Sequence, residues 1–530
     1  MKTLKIFCTL FLLVTASCTE DFVTLEPNNQ KVVDNFYETP QDALEGLVAT
    51  YAVLPWDGWG NIWLLSELAS DNTFAGTGKS DDGKTQFWDR FQKSTDPNQN
   101  FDPWRKYTRG IYRANVVLEN LDKVTWGDEA ELRTQYEAEA RFLRAYYHFD
   151  WVRMFGNVPV LDRTLTPSEA YKPQSEPQEV YALIASDLKF AIENLPGVSF
   201  ADMSDDYFGR ASKWAAEALM GRVFLFYTGY YNQTDLAGVV TKAEVIAYID
   251  DVINNSGHDL VQGADGYKRV FRSSSFTEGT YVGEDNIETV FAIKHTHKGL
   301  GNWGYEEGFG NRWQKFIGIR TQDIYPYAGG WGFCTVNEAL YDAYDAEDTR
   351  REASIIDIAA EIPTFSAVDQ RQYTGYAIKK FSPTLDANNK PTVVNLGGND
   401  QLDGFDDLPV IRFSDVLLMG AELNVEGGDL AKAQAYLDRV RDRAFEDADH
   451  RIPVSKSAIL EERRLELAFE GHRYFDLLRQ GLAVAKTALD NNATDDEFDV
   501  NFRIETGGFF EIPDSQVQLS NGTLNQNQGF

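Results

Sequence analysis

A disulfide framework is closed to this chain. It has three cysteines; Cys8 and Cys18 fall in the first eighteen residues and Cys334 stands alone. At 530 residues it has little need of one, because the fraction of surface buried rises with chain length. Long apolar runs are missing too: beyond the N-terminus nothing approaches the roughly 18 consecutive apolar residues of a membrane-spanning helix. Positive charge is scarce. With 50 Lys and Arg against 82 Asp and Glu the formal net charge is −32, which argues against nucleic acid and anionic lipid surfaces and favours neutral or cationic ligands. Walker loops, Gly-rich dinucleotide turns, G-x-S-x-G and H-E-x-x-H are absent from the sequence, which weakens most enzyme classes and leaves no cofactor to expect.

What is present begins at the first residue. Lys2 and Lys5, the apolar run from Ile6 to Val14 and the small residues Ala16 and Ser17 before Cys18 have the layout of a bacterial lipoprotein signal. The expectation is a signal peptide over 1–17 and one mature domain over 18–530. Acyl chains on Cys18 would tie that domain to a membrane, each buried CH₂ contributing about 0.8 kcal/mol. Thr15 sits where Leu is more usual, and ordinary secretory cleavage after Ser17 is the alternative. Loss of Lys2 and Lys5 leaves the mature chain two units more negative.

Helical periodicity dominates the body. Leu132, Tyr136, Ala140, Leu143, Tyr147, Trp151 and Met154 recur at steps of three and four and predict a helix over roughly 129–155. Similar stripes run through Tyr107 to Leu121, Val180 to Leu195 and Leu430 to Ala444. Gly427-Gly428 separates the last from an apolar helix near 411–425, an antiparallel pair. Recurrent helix pairs suggest tetratricopeptide-like units. Long inserts near 56–103, 255–335 and 355–408 interrupt them, rich in Gly, Asp, Asn and aromatics. The expected fold is all-α: a helical-repeat scaffold carrying an irregular, loop-rich second layer.

In the segment 459–481, read as one helix, Arg463, Glu466, Glu470 and Arg473 share a face. Two carboxylates there suggest an acid/base pair as in a helical glycosidase, but an Arg within reach of each keeps both ionised, so a structural ion network is the favoured reading. Gly471 inside that helix marks close approach by another backbone. His295 and His297 share a strand face, yet no ligand set completes a metal site. In the acidic run 399–407 only Asn399, Asp403 and Gly404 fit calcium-loop positions, and Val410 stands where the bidentate Glu belongs.

The strongest functional signal is aromatic. Trp56, Trp59, Trp63 and Trp88 crowd the first insert; Trp303, Tyr305, Trp313, Tyr325, Tyr327 and Trp331 crowd the second. Sugar rings stack a C–H face on an aromatic plane while their hydroxyls seek Asp, Asn and Arg, so this mixture suits a neutral carbohydrate. Packing of the irregular layer is the competing explanation. Trp151 and Trp214, on helical stripes, belong to the core.

Four segments carry a family resemblance: EAEARFLRAYYHFDWVRMFGNVPVL at 137–161, ASKWAAEALMGRVFLFYTGYY at 211–231, LPVIRFSDVLLMGAEL at 408–423 and ILEERRLELAFEGHRYFDLLRQG at 459–481. With ELASDNTF at 67–74 and YRANVVLENL at 112–121, they make the chain resemble the SusD/RagB family of Bacteroidetes outer-membrane lipoproteins from Cys18 to the C-terminus. Glu20 and Asp21 resemble that group's surface-export signal. Ser414 and Gly420 depart from residues the family often carries. The resemblance implies a non-enzymatic, surface-exposed lipoprotein that holds an oligosaccharide against a SusC-type TonB-dependent transporter and closes over it as a hinged lid. It points to Trp88 in the first insert and to Trp303, Trp313 and Trp331 in the second as ligand-binding residues, beside Tyr305 and Tyr327. Asp71 and Asn72 match the family segment, for structural or for binding reasons. A helical polysaccharide hydrolase using Glu466 and Glu470 or carboxylates in the inserts, and a lipoprotein of the same fold serving peptide uptake, are the rival readings. Import calls for release as well as capture, so micromolar or weaker affinity is expected, with Trp303→Ala or Trp331→Ala losing most of it in a calorimetric titration.

Overall fold

The computed structural model describes residues 36–56, 61–299, 308–491 and 497–530. Cys18 with its leader, Glu20, Asp21, Trp59, Trp303 and Tyr305 lie outside the described residues. The principal helices are α1 (Pro40–Tyr51), α2 (Ile62–Leu68), α3 (Phe101–Asn120), α4 (Ala130–Phe155), α5 (Pro177–Asn194), α6 (Lys213–Tyr230), α7 (Lys242–Asn255), α8 (Phe413–Val425), α9 (Leu430–Phe445), α10 (Lys456–Glu466) and α11 (Arg473–Leu478).

Their starts are written in the sequence. Thr39 with Asp42 and Thr241 with Glu244 form reciprocal capping boxes at α1 and α7, Ser212 and Asp429 accept from backbone N–H groups at α6 and α9, and Pro177 opens α5 where its missing N–H costs nothing. Helices α3 to α7 pack each on the next, and α8 packs on α9. The stripe on α4 understates its burial: from Phe142 onward every side chain is covered, because α1, α3 and α5 all pack on it. Arg144 crosses to α5 and grips Asp187 through two hydrogen bonds of 2.8 Å. Among the described residues no helix is long and apolar enough to cross a membrane.

After α7 the chain leaves the stack for residues 256–412, yet α8 returns to pack directly on α7. The second layer is less irregular than its composition suggests. Short strands β1 (Thr73–Gly76), β2 (Thr289–Ile293), β3 (Phe333–Val336), β4 (Ile355–Asp357), β5 (Tyr376–Ile378) and β6 (Leu408–Arg412) pair antiparallel as β1–β3, β2–β6 and β4–β5. At the end of β1 a Cβ on Gly76 would stand 2.1 Å from the Gly332 carbonyl oxygen; with φ of +62° only glycine fits. One apolar core runs through both layers. A satellite core of Ile319, Tyr327, Ile356, Ile358 and Ile362 lies under the loops of the second layer.

The segment 459–481 is not one helix. It breaks after Glu466 and restarts at Arg473, with Phe469 and Gly471 at φ of +68° and +75°. The close approach expected at Gly471 is there: its N–H donates to Glu67 Oε1 at 2.7 Å, and a Cβ would stand 3.2 Å from Ser66 Oγ. Burial pushes the Glu67 carboxyl up to about 8, against the pull of that N–H. The ion network is present, with partners the helical spacing did not foresee. Glu466 takes Arg443 at 2.5 Å, Arg412 at 2.9 Å and Arg350 at 3.2 Å. Glu470 takes Arg412 at 2.7 Å and Lys380 at 2.9 Å, and Glu288 takes Arg412 and Arg443. Arg463 turns to Asp415 and Asp476, and Arg473 to Asp71. Burial raises the Glu466 pKa, but Arg443, Arg412 and Arg350 outweigh it and hold the carboxylate well below its ordinary value.

Removing one member of such a network strands buried charge, at a cost of roughly 3–5 kcal/mol. Glu466→Ala is expected to lose that much in urea unfolding. Because the folded-state pKa of Glu466 is depressed, its contribution is complete above the ordinary value of 4.5 and falls as pH drops below it, which an acid titration followed by circular dichroism measures.

Candidate functional site

The structure scatters the aromatics that the sequence grouped. Trp313, on the short helix Arg312–Ile317, is 0% exposed and meets Trp63 edge-on, ring centroids 6.3 Å apart; it is core. Trp88 is buried, its Nε1 donating to Asn100 Oδ1 at 2.9 Å, beside a crevice lined by Phe91, Tyr474, Phe510 and Phe530. Tyr327 sits in the satellite core and donates to Glu361 at 2.6 Å; burial, then the Glu361 charge, push its phenol far above the ordinary range. None of these three rings offers a stacking face.

Asp71 and Asn72 are bracing residues. Asp71 receives both nitrogens of the Arg473 fork at 2.7 and 2.8 Å, and Asn72 Oδ1 receives Arg464 at 3.0 Å. Burial raises the Asp71 pKa, but Arg473 and Arg464 prevail and keep it below its ordinary value. Together they pin the approach to β1 against α10 and α11. The 466/470 pair of the rival hydrolase fares no better as a site: Glu466 and Glu470 are 0% and 2% exposed and wrapped in cations, so neither is available to protonate a leaving group.

Trp331 is different. Half-buried, its ring leans on Phe316 and Phe333, centroids 5.2 and 5.9 Å away. Its Nε1 donates to Gln401 Oε1 at 3.2 Å. Gln401 donates to Asp400 at 2.7 Å, and Lys315 Nζ bridges Asp400 at 3.2 Å and the Gly329 carbonyl at 2.8 Å. The 321–330 loop then turns tightly, Ile324 and Tyr327 exchanging backbone hydrogen bonds of 3.0 and 2.8 Å. This presents Tyr325, 47% exposed, at the tip. Asp323 holds the turn by accepting from Gly329 N–H at 2.8 Å. Between these residues a crevice lined by Lys315, Asp323, Thr384, Thr392 and Asp400 has about 30 Å³ of space, room for a water but not a sugar ring. Its mouth carries hydroxyl, carboxylate and ammonium groups; Trp331, half-buried, and Tyr325, exposed, do not line it but stand on the segments that adjoin it through Gln401, Asp400 and Asp323.

The loops around this mouth are fastened together. Arg320 spans Asp369 at 3.0 Å, Asp81 at 3.1 Å and the Trp331 carbonyl at 3.2 Å. Arg371 donates to the Lys79 and Asp81 carbonyls. Gln401, Asp400 and Lys315 are contributors that the aromatic pattern did not single out; their signal is weak, a Lys two residues beyond Trp313 on a helix too short to show a period. The acidic run 399–407 is spent on the protein itself: Asp403 accepts from Asn399 N–H and Asn399 from Gln401 N–H, Asp406 pairs with Arg272 and Asp407 with Lys294. His295 Nδ1 faces the Phe309 carbonyl at 3.3 Å. Among the described residues no group of three or more His, Cys, Asp or Glu is placed to hold a metal ion.

The chain is similar to proteins already known. A model of the SusD family matches residues 363–530, and one described as starch-binding associating with outer membrane matches residues 30–225. A solved laminarin binding SusD-like protein is 32% identical, covering 93% of this chain and 100% of its own, with a TM-score of 0.76. Surface glycan-binding protein A from Bacteroides thetaiotaomicron, solved in complex with laminarihexaose, is 25% identical over 92% of this chain and 99% of its own, TM-score 0.76. SusD-like protein P2 of Formosa agariphila is 24% identical across the whole of both chains.

Trp313 and Trp331, the two described tryptophans of the middle insert, separate by experiment. Trp313→Ala leaves a core cavity and is expected to cost about 3–5 kcal/mol in denaturant unfolding, whereas Trp331→Ala, half-buried against Phe316 and Phe333, is expected to cost less, about 1–2 kcal/mol.

Proposed function

Because the chain belongs to the SusD family, we propose that it is a surface lipoprotein that captures a neutral oligosaccharide and presents it to a SusC-type TonB-dependent transporter for import. The observation that carries this reading is the exposed ring of Tyr325 and the half-buried ring of Trp331, set on fastened loops beside Lys315, Asp323, Asp400 and Gln401. An indole or phenol face takes the C–H side of a sugar, and the flanking groups take its hydroxyls. The charge of −32 works against sulfated or uronic-acid glycans through the field of the whole chain. Family members are binding proteins rather than enzymes, in keeping with the lack of an available carboxylate pair at 466 and 470.

Cys18 is the proposed lipid attachment point and the outer membrane, facing the cell surface, the proposed location. A tethered lid above a transporter mouth raises the effective concentration of ligand without new contacts, so modest affinity at each ring suffices. Trp303 and Tyr305 lie in the same insert in sequence and stand as further proposed contacts.

Laminarin is the first ligand to test, on the strength of the two solved relatives. Calorimetry on the chain from about residue 20 is expected to give micromolar or weaker affinity without turnover of the glycan, and Trp331→Ala to weaken it at least tenfold. Affinity unchanged in both Trp331→Ala and Tyr325→Ala removes the proposed platform, and binding of peptides in place of any glycan in a ligand screen favours peptide uptake. Cys18→Ala is expected to move the protein from the membrane fraction to the soluble one.

A further inference from the structure

A second set of rings lies beside the Trp331–Tyr325 mouth, most of them in the insert near 355–408, whose individual aromatics the sequence did not single out. Phe365 and Tyr373 stack nearly parallel, interplanar angle 17° and centroids 6.1 Å apart, and Tyr373 is 40% exposed, so the side of its ring away from Phe365 is open. Beyond them Tyr341 and Tyr376 stack at 4.3 Å and 21°, both half-buried, with the Arg351 guanidinium 5.1 Å from the Tyr341 ring. Between the two stacks stands Asp357, the cross-strand partner of Tyr376 in the β4–β5 pair; side chains at such paired positions share a face. Burial and then the Asp357 charge raise the phenol of Tyr373, which places the carboxylate near that ring as well.

This strip is continuous with the mouth. Phe365 packs on the satellite core that also carries Ile324, the neighbour of Tyr325. Gln322 and Ser366 clasp the two loops through hydrogen bonds of 2.8 and 2.9 Å, and Arg320 ties the 320 loop to Asp369. The rings therefore ride on one rigid patch and do not move independently. Flat phenol faces alternating with hydroxyl-accepting carboxylates suit the same chemistry as the mouth, and the negative rim of Asp357, Asp342 and Glu338 near Tyr376 disfavours an anionic chain.

We propose that the Phe365–Tyr373 stack is a second subsite for the same neutral glycan, engaging sugars further along a chain whose first residues lie against Trp331 and Tyr325. The proposal rests on the glycan-binding reading of the mouth and adds to it a preference for long chains. A short oligosaccharide reaches only the mouth; a polymer reaches both.

The test is calorimetry with polymeric laminarin and with a trisaccharide cut from it, on the full mature chain and on Tyr373→Ala, Tyr373→Phe and Trp331→Ala. Stacking on one ring corresponds to about a five- to tenfold change in affinity. Tyr373→Ala is expected to weaken the polymer by that factor while leaving the trisaccharide within twofold, Tyr373→Phe to keep the polymer affinity, and Trp331→Ala to weaken both ligands. Polymer affinity unchanged in Tyr373→Ala while Trp331→Ala loses it overturns the second subsite alone. Equal losses for polymer and trisaccharide in Tyr373→Ala also overturn it, because the ring then belongs to the mouth. A wild-type chain that binds neither ligand overturns the reading of the mouth together with its extension.

Discussion

Glu466 receives three guanidinium groups in a region without water-exposed side chains, and much of the architecture hangs on that meeting. Arg443 comes from α9, Arg412 from the end of β6 and Arg350 from a short helix of the second layer, so one carboxylate fixes the helical stack against the loops packed on it. Net stabilisation from such groups is modest, since desolvation consumes most of the Coulombic gain. Their effect is geometric: a shift of any partner leaves a buried charge unpaired, so only one arrangement of the layers satisfies all of them. The fixed end of α10 then forces the bend at 467–472, which brings Gly471 N–H onto Glu67 of α2. From α2 the chain runs through the braced Asp71 and Asn72 into β1, whose partner β3 begins two residues after Trp331. The proposed ligand-contacting ring is thus the last link of a sequence of contacts that starts in a buried ion cluster.

Capped helices and buried charges supply rigidity, and the loops supply chemistry. Those loops are held at their bases by arginines whose forks reach across two or three segments at once, as Arg320 and Arg371 do. A binding surface for sugar needs this, because a ring face displaced by an ångström no longer lies under the C–H groups it must meet.

The scaffold was largely legible in the sequence. The stripe from Leu132 to Met154 and the Gly427-Gly428 break correspond to α4 and to the α8–α9 pair within a residue or two, because long amphipathic periods survive any tertiary context. Less legible was the partner of each charge. The alternation of Arg463, Glu466, Glu470 and Arg473 marked an ion network, but spacing along one helix says nothing about Arg412 or Lys380, which arrive from residues far away in sequence. Trp313 and Trp331 show why the site was harder still. Both lie in Gly-rich surroundings, yet one faces the core from a short helix, Arg312–Ile317, and the other lies at the entrance to β3; over so few residues no period separates an inward ring from an outward one. Tyr373 went unread for the opposite reason, an isolated aromatic in a polar stretch whose stacking partner, Phe365, is distant enough to hide the pairing.

The β2–β6 pair sits at the neck of the excursion between α7 and α8. Its last residue, Arg412, opposes Thr289 in register and is itself held by Glu288, Glu466 and Glu470. The excursion from 256 to 412 is therefore closed at its neck by the same buried cluster that Arg350 and Lys380 join from its interior. A substitution at Arg412 therefore unfastens the chain's return to the stack and unbalances the charge cluster in the same stroke.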